Sequence, residues 1–177
     1  MTKIVTKESA AADLSRLGAC SEASKWLAAR TTSPAVSWAE CERGDWLLWL
    51  AARAGVDRRA VVLAACACAR LALPHTSDPR VIVCIETTEA WARGEATIGK
   101  VNDVRVAANT VAAAAAHAAH AAAARAAAAA AYAASDASAA DYAAAAAAAA
   151  RKGSLAESAD IVRSLISWAD ISAAVSR

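Results

Sequence analysis

"NTVAAAAAHAAHAAAARAAAAAAYAA", residues 109–134, is either an ordered rod or a disordered tract, and the architecture turns on which. Nineteen of its 26 residues are alanine, and only His117, His120, Arg125 and Tyr132 interrupt the run beyond Val111. Alanine is the best helix former and gives up no side-chain entropy on folding, so this low-complexity segment predicts helix rather than disorder. Its methyl groups also allow neighbouring helices to approach closely. Working outward, a single long helix is expected from near Ile98 to about Ala134, where "SDAS" offers a break. Ser138 and Asp141 then stand three apart, an acidic form of the capping box, before a second alanine run that ends at Gly153.

Upstream, the helix punctuation is regular. "KESAAADLSRL" stops at Gly18, and "EASKWLAAR" follows Ser21 as N-cap. Ser33 caps a helix with Pro34 at its first position, ending at Gly44, while "DWLLWLAARAG" starts with Asp45 and closes on Gly55. Asp57 opens a helix ended by Pro74, and Asp78 with Pro79 opens one that stops at Gly94. Downstream, Ser154 and Glu157 form a capping box. Behind it Leu155, Ile161, Val162, Leu165 and Ile166 make an apolar stripe suited to docking on the rest. No period-2 alternation bounded by hairpin turns is found. The expectation is an all-α protein, a compact bundle of about eight helices with a long alanine-rich helix.

A chain of 177 residues suits one domain. Within it a Trp/Leu-rich core is expected at 20–95, long alanine-rich helices at 98–152 and a docking helix at 154–170. Alanine, at 58 residues, inflates the 58% hydrophobic fraction, because a methyl buries far less area than leucine or valine. Five of six tryptophans (Trp26, Trp38, Trp46, Trp49, Trp91) fall in the first hundred residues, which centres the core there. A net charge of +2 without Lys/Arg runs argues against nucleic acid as a partner. The first ten residues carry no signal-peptide pattern and charges interrupt the alanine tract, so no membrane is expected and the predicted location is the cytoplasm. Five cysteines without ligand spacing fit that reducing compartment as small buried side chains.

The segments "GDWLLWLAARAG", "DRRAVVLAACACAR", "DPRVIVCIETTEAWARGEAT", an alanine tract spotted with Tyr, His and Asp, and "SLAESADIVRSLISW" occur in fixed order. Over about residues 38–170 this order resembles the all-α immunity proteins of bacterial polymorphic toxin systems and their alanine-rich relatives in phages. The resemblance implies a small, non-enzymatic protein that neutralises a toxin or defence component by binding it.

Two charged residues point inward. Arg70 lies one turn beyond Cys66 and two beyond Leu63, so its stem follows an apolar stripe, and Glu89 falls between Ile82 and Ile85 on its own helix. They are either structural partners, since an orphaned buried charge costs about 3 to 5 kcal/mol, or Arg70 joins Arg80 in a pocket for an anion. Trp46, Trp49 and Trp91 are either core or a surface that stacks a flat ligand. Arg105, Asn109 and His120 share a stripe with alanines between them, which suits either a polar ligand-binding wall or plain solvent exposure.

His117 and His120 have no companion ligand, so no metal is expected. No cofactor motif and no nucleophile with its base is recognisable, so no enzyme is expected. Two binding roles therefore stand. One blocks a toxin or defence protein. The other is a phage-type sponge for a small anionic, nucleotide-like signal, with Arg70, Arg80, Arg105, Asn109, His120 and Trp49 as ligand-binding candidates, and Glu89, Trp46 and Trp91 as structural ones. A homo-oligomer packed through alanine faces is the blander alternative.

Overall fold

The computed structural model describes residues 13–114, 118–135, 141–143, 145–146 and 155–176, with the side chains of 118–121 excepted. Every regular element among them is helical. After a helical stretch at 13–17 come α1 (Ser21–Ala28), α2 (Pro34–Glu40), α3 (Gly44–Ala54) and α4 (Arg58–Arg70). A 3-10 turn (Leu73–His75) leads to α5 (Pro79–Arg93), α6 (Ile98–Ala114) and α7 (Ala118–Ser135), and α8 (Leu155–Leu165) and α9 (Trp168–Val175) close the described chain. These α-helices already outnumber the eight expected. None among the described residues is long and apolar enough to cross a membrane.

Most ends sit where local chemistry puts them. Ser33, Asp57 and Asp78 each accept a backbone N–H of the following first turn, satisfying donors that have no partner inside a helix. Gly55 and Gly94 end α3 and α5 in the left-handed region, at φ 86° and 84°, which a side chain would strain. Other boundaries move. Ser21 is not a cap but the first residue of α1, and the thiol of Cys20 accepts the Ala23 N–H instead. Asp45 lies inside α3, where both its oxygens are gripped by Arg43 at 2.9 and 2.7 Å. Helix α2 stops at Glu40, short of Gly44, and Arg163 from α8 satisfies the freed carbonyls of Trp38 and Cys41 at 3.4 and 2.6 Å.

The long single helix is the main correction. Residues 98–114 and 118–135 are separate helices that pack extensively against each other, which one rod cannot do. Unbroken alanine carries no stop signal of its own. Folding back buries methyls from both arms, and this tertiary gain decides the break. In α7 the side chains of Ala124, Ala126, Ala127, Ala130 and Ala131 are wholly buried against α4, α5 and α6. Among the described residues these α7 methyls are therefore used for packing within the chain.

The other correction is at the C-terminal end. The docking segment is two helices, because Ser167 and Asp170 form a capping box that starts α9, with Ser167 Oγ accepting the Asp170 N–H and Asp170 accepting the Ser167 N–H. Val162 and Ile166 are buried as expected, whereas Leu165 is exposed. Ser154, Ser138, Asp136 and His117 lie outside the described residues. Helices α8 and α9 pack on α3, joining the tryptophan-rich half to a core built on Leu48, Val61, Val62, Ile85 and Val162.

Cysteines serve as small core residues. Four are buried and Cys20 is exposed. Burial raises the thiols of Cys41 and Cys66, and pushes Cys68 and Cys84 up to about 12. A thiol near 12 is about one part in ten thousand thiolate at pH 8, and thiolate is the reactive form. Ellman's reagent at pH 8 should therefore react promptly with Cys20 alone, and with Cys41, Cys66, Cys68 and Cys84 only after denaturation.

Candidate functional site

Two places in the fold have features that packing alone does not require. The first is a cavity of about 170 Å³ between α1, α2, α3 and α9. Trp26, Trp38, Trp46, Trp49 and Trp168 line it, five of the six tryptophans in the chain, together with aliphatic side chains including Leu50 and Ile171. The Trp46 ring meets Trp26 edge-on at 6.1 Å, and Trp38 leans on Trp168 at 6.4 Å, so each pair fixes the other's orientation. Guanidinium groups cover three of these rings. Arg30 lies 4.0 Å from the Trp26 centroid, Arg43 4.2 Å from Trp46 and Arg53 5.7 Å from Trp49. Arg30 is in turn paired with Glu40, and Arg43 with Asp45. Cation–π contact thus stiffens the wall with charge left on its outer side. Among the described lining residues the one charged group is Asp13.

The second place lies on the α6–α7 hairpin. The guanidinium of Arg105 sits 4.0 Å from the centre of the Tyr132 ring, and Tyr132 stacks on Tyr142 at 4.7 Å with an interplanar angle of 16°. One ring face has room for one such neighbour, so the guanidinium and Tyr142 take opposite faces of Tyr132. Asn109, one turn after Arg105, donates its side-chain N–H to the Tyr132 hydroxyl at 3.5 Å. The Arg105 Nε is buried without a hydrogen-bond partner among the described residues, an unfavourable state for a donor of a charged group. The other partly buried arginines among the described residues, Arg30, Arg43 and Arg163, all hold a carboxylate. Arg105 holds none among those residues.

The predicted ligand residues are therefore divided. Arg105 and Asn109 meet through Tyr132. Trp49 and Trp46 belong to the cavity, while Trp91 packs against the core. Arg80 turns back on its own helix cap, with Nε and Nη2 bonded to Asp78 at 3.0 and 2.7 Å. The side chain of His120 lies outside the described residues. Among the described residues no common partner joins Arg70 or Arg80 to Arg105, and the three arginines make separate contacts.

Arg70 and Glu89 face each other as the first of the two alternatives requires. Nε and Nη2 of Arg70 reach the two Glu89 oxygens at 2.7 Å each, and this hydrogen bonding holds the guanidinium above its ordinary pKa. The arginine side chain is 40% exposed, less enclosed than its stripe suggested, and Glu89 is 15% exposed. Solvent screening keeps the expected effect small, so Arg70→Ala should lower stability by about 0.5 to 1 kcal/mol. Urea unfolding of the two proteins checks this.

Sequence reasoning missed Trp168 as a cavity wall and Tyr142 as the stacking partner, because both come from elements remote in sequence. It also missed the cap that positions Trp168, although "SWAD" at 167–170 carries the Ser-x-x-Asp signal. No cluster of three or more His, Cys, Asp or Glu able to hold a metal occurs among the described residues. No family model matches the chain, and the comparisons with curated proteins and with solved structures likewise give no match.

Proposed function

We propose that the protein is a non-catalytic binding protein of immunity type, which neutralises a partner protein by seating one of that partner's apolar side chains in the tryptophan cavity. The observation that carries this reading is the cavity's size and chemistry together. A dry apolar cavity of about 150 Å³ holds a group the size of benzene, and about 170 Å³ is therefore room for one leucine or phenylalanine side chain. Tryptophan is among the residues in which protein interfaces concentrate binding energy, in desolvated pockets near their centre. The arginines outside the wall supply the polar rim that such anchors have.

A nucleotide-like anion fits the same cavity poorly. Its phosphates would be desolvated with no cation among the described lining residues and with Asp13 opposing them. The resemblance to toxin-immunity proteins agrees with a protein partner, and a standard interface of about 800 Å² per side would extend well beyond the cavity mouth.

Filling the cavity without deleting anything tests the idea. Ala23 lines it and is only partly buried. In Ala23→Leu the added carbons should occupy the anchor's space while the melting temperature holds or rises. Co-expression with the toxin or defence protein that the resemblance implies should give a complex on size exclusion and restore growth. The Ala23→Leu protein should bind at least about tenfold more weakly, a loss of 1.4 kcal/mol. A complex of undiminished affinity would remove the cavity from the interface.

A further inference from the structure

We propose that Arg105, Tyr132 and Asn109 form a second binding site, one that takes a small oxyanion of the carboxylate or phosphate class. The donors come without a built-in acceptor. Both terminal nitrogens of Arg105 lack hydrogen-bond partners among the described residues, and neither is among the fully buried unsatisfied atoms, so each keeps some accessible surface. The Tyr132 oxygen accepts from Asn109, which leaves its own hydrogen free to donate. That hydroxyl belongs to the ring the guanidinium covers, so arginine and phenol serve one small volume.

The site is rigid before any ligand arrives. Tyr132 is held between Arg105 and Tyr142, and the Arg105 stem is anchored between packed helices with its Nε buried. A guanidinium fork fixed in place, with no carboxylate of its own, loses little freedom on accepting two oxygens of an anion. Its unmet hydrogen-bonding capacity is what such an anion would supply. Arg30, Arg43 and Arg163 show the contrast, since each has its fork occupied by Glu40, Asp45 or Asp160.

The test is titration of the full chain, followed by the side-chain Nε–H resonance of Arg105 in a ¹⁵N spectrum, with inorganic phosphate and with acetate at constant ionic strength set by chloride. Saturable movement of that resonance is expected with at least one anion. A response to phosphate alone assigns the site to phosphates, and one to acetate alone or to both assigns it to carboxylates or to oxyanions generally. By calorimetry Arg105→Gln should weaken binding at least about tenfold, and Tyr132→Phe should weaken it less. Linear, unsaturated movement with both anions overturns the proposal, as does binding of equal strength in Arg105→Gln. Should Arg105→Gln fail to fold, the titration of the unaltered chain decides by itself. The Ala23→Leu protein should bind the anion unchanged, so failure of the cavity reading and failure of this one are distinguishable.

Discussion

Gly44→Ala is expected to cost about 3 kcal/mol, the upper end for forcing atoms into a packed interior, and so to lower the melting temperature by roughly 6 to 12 °C in a chain of this length. A Cβ at this position would lie 2.5 Å from Ser158 Cβ, 2.7 Å from the Ser158 carbonyl carbon and 2.8 Å from the Ala159 nitrogen. Two of the three atoms are backbone of α8, which cannot turn aside as a side-chain tip would. The helix propensity of alanine works in the other direction by at most about 1 kcal/mol, so the clash wins. Gly55→Ala is the control. Nothing lies within 4 Å of its Cβ, and the expected cost is only the left-handed strain of about 1 to 2 kcal/mol. Thermal unfolding of the two variants should rank them in that order. Equal melting temperatures would mean that α3 and α8 do not meet as closely as described.

Ala127→Leu carries the second large effect. Ala127 is fully buried in α7, and its carbonyl accepts the Cys84 thiol at 3.5 Å, so α5 and α7 touch almost backbone to backbone there. Three more carbons have nowhere to go without parting the helices. The expected destabilisation is about 2 to 3 kcal/mol. The same exchange at exposed Ala113 should stay within about 0.5 kcal/mol. Guanidinium unfolding of Ala127→Leu beside Ala113→Leu checks the pair. If both are neutral, the alanine arms are loosely packed and methyl-to-methyl contact is not what holds the hairpin together.

These two positions show how far the sequence reaches. Ser33 with Pro34, Asp57, Asp78 with Pro79, and Gly94 mark real helix ends, because capping acts over three or four residues and needs no knowledge of the rest of the chain. The Arg70–Glu89 pairing was one of two readings that helical periodicity left open, because spacing puts both residues beside apolar neighbours but does not say whether Arg70 turns to Glu89 or to a ligand. Arg105 and Asn109 could be placed on one face by their spacing. That Arg105 would lie against Tyr132 rather than an acid could not, because Tyr132 comes from the returning arm.

The helical class and most of the helix limits upstream of the alanine tract follow from local chemistry along the chain, where polar caps and glycines act over a few residues. Long-range packing sets the fold-back of the alanine tract, the meeting of Tyr132 with Tyr142, and the arrival of Trp168 at a cavity begun by Trp26. The physical reason is the uniformity of alanine. Its helix preference is the same at every position, so the place where the chain turns, and the neighbours each rare large side chain acquires, follow from which methyl surfaces can be buried together.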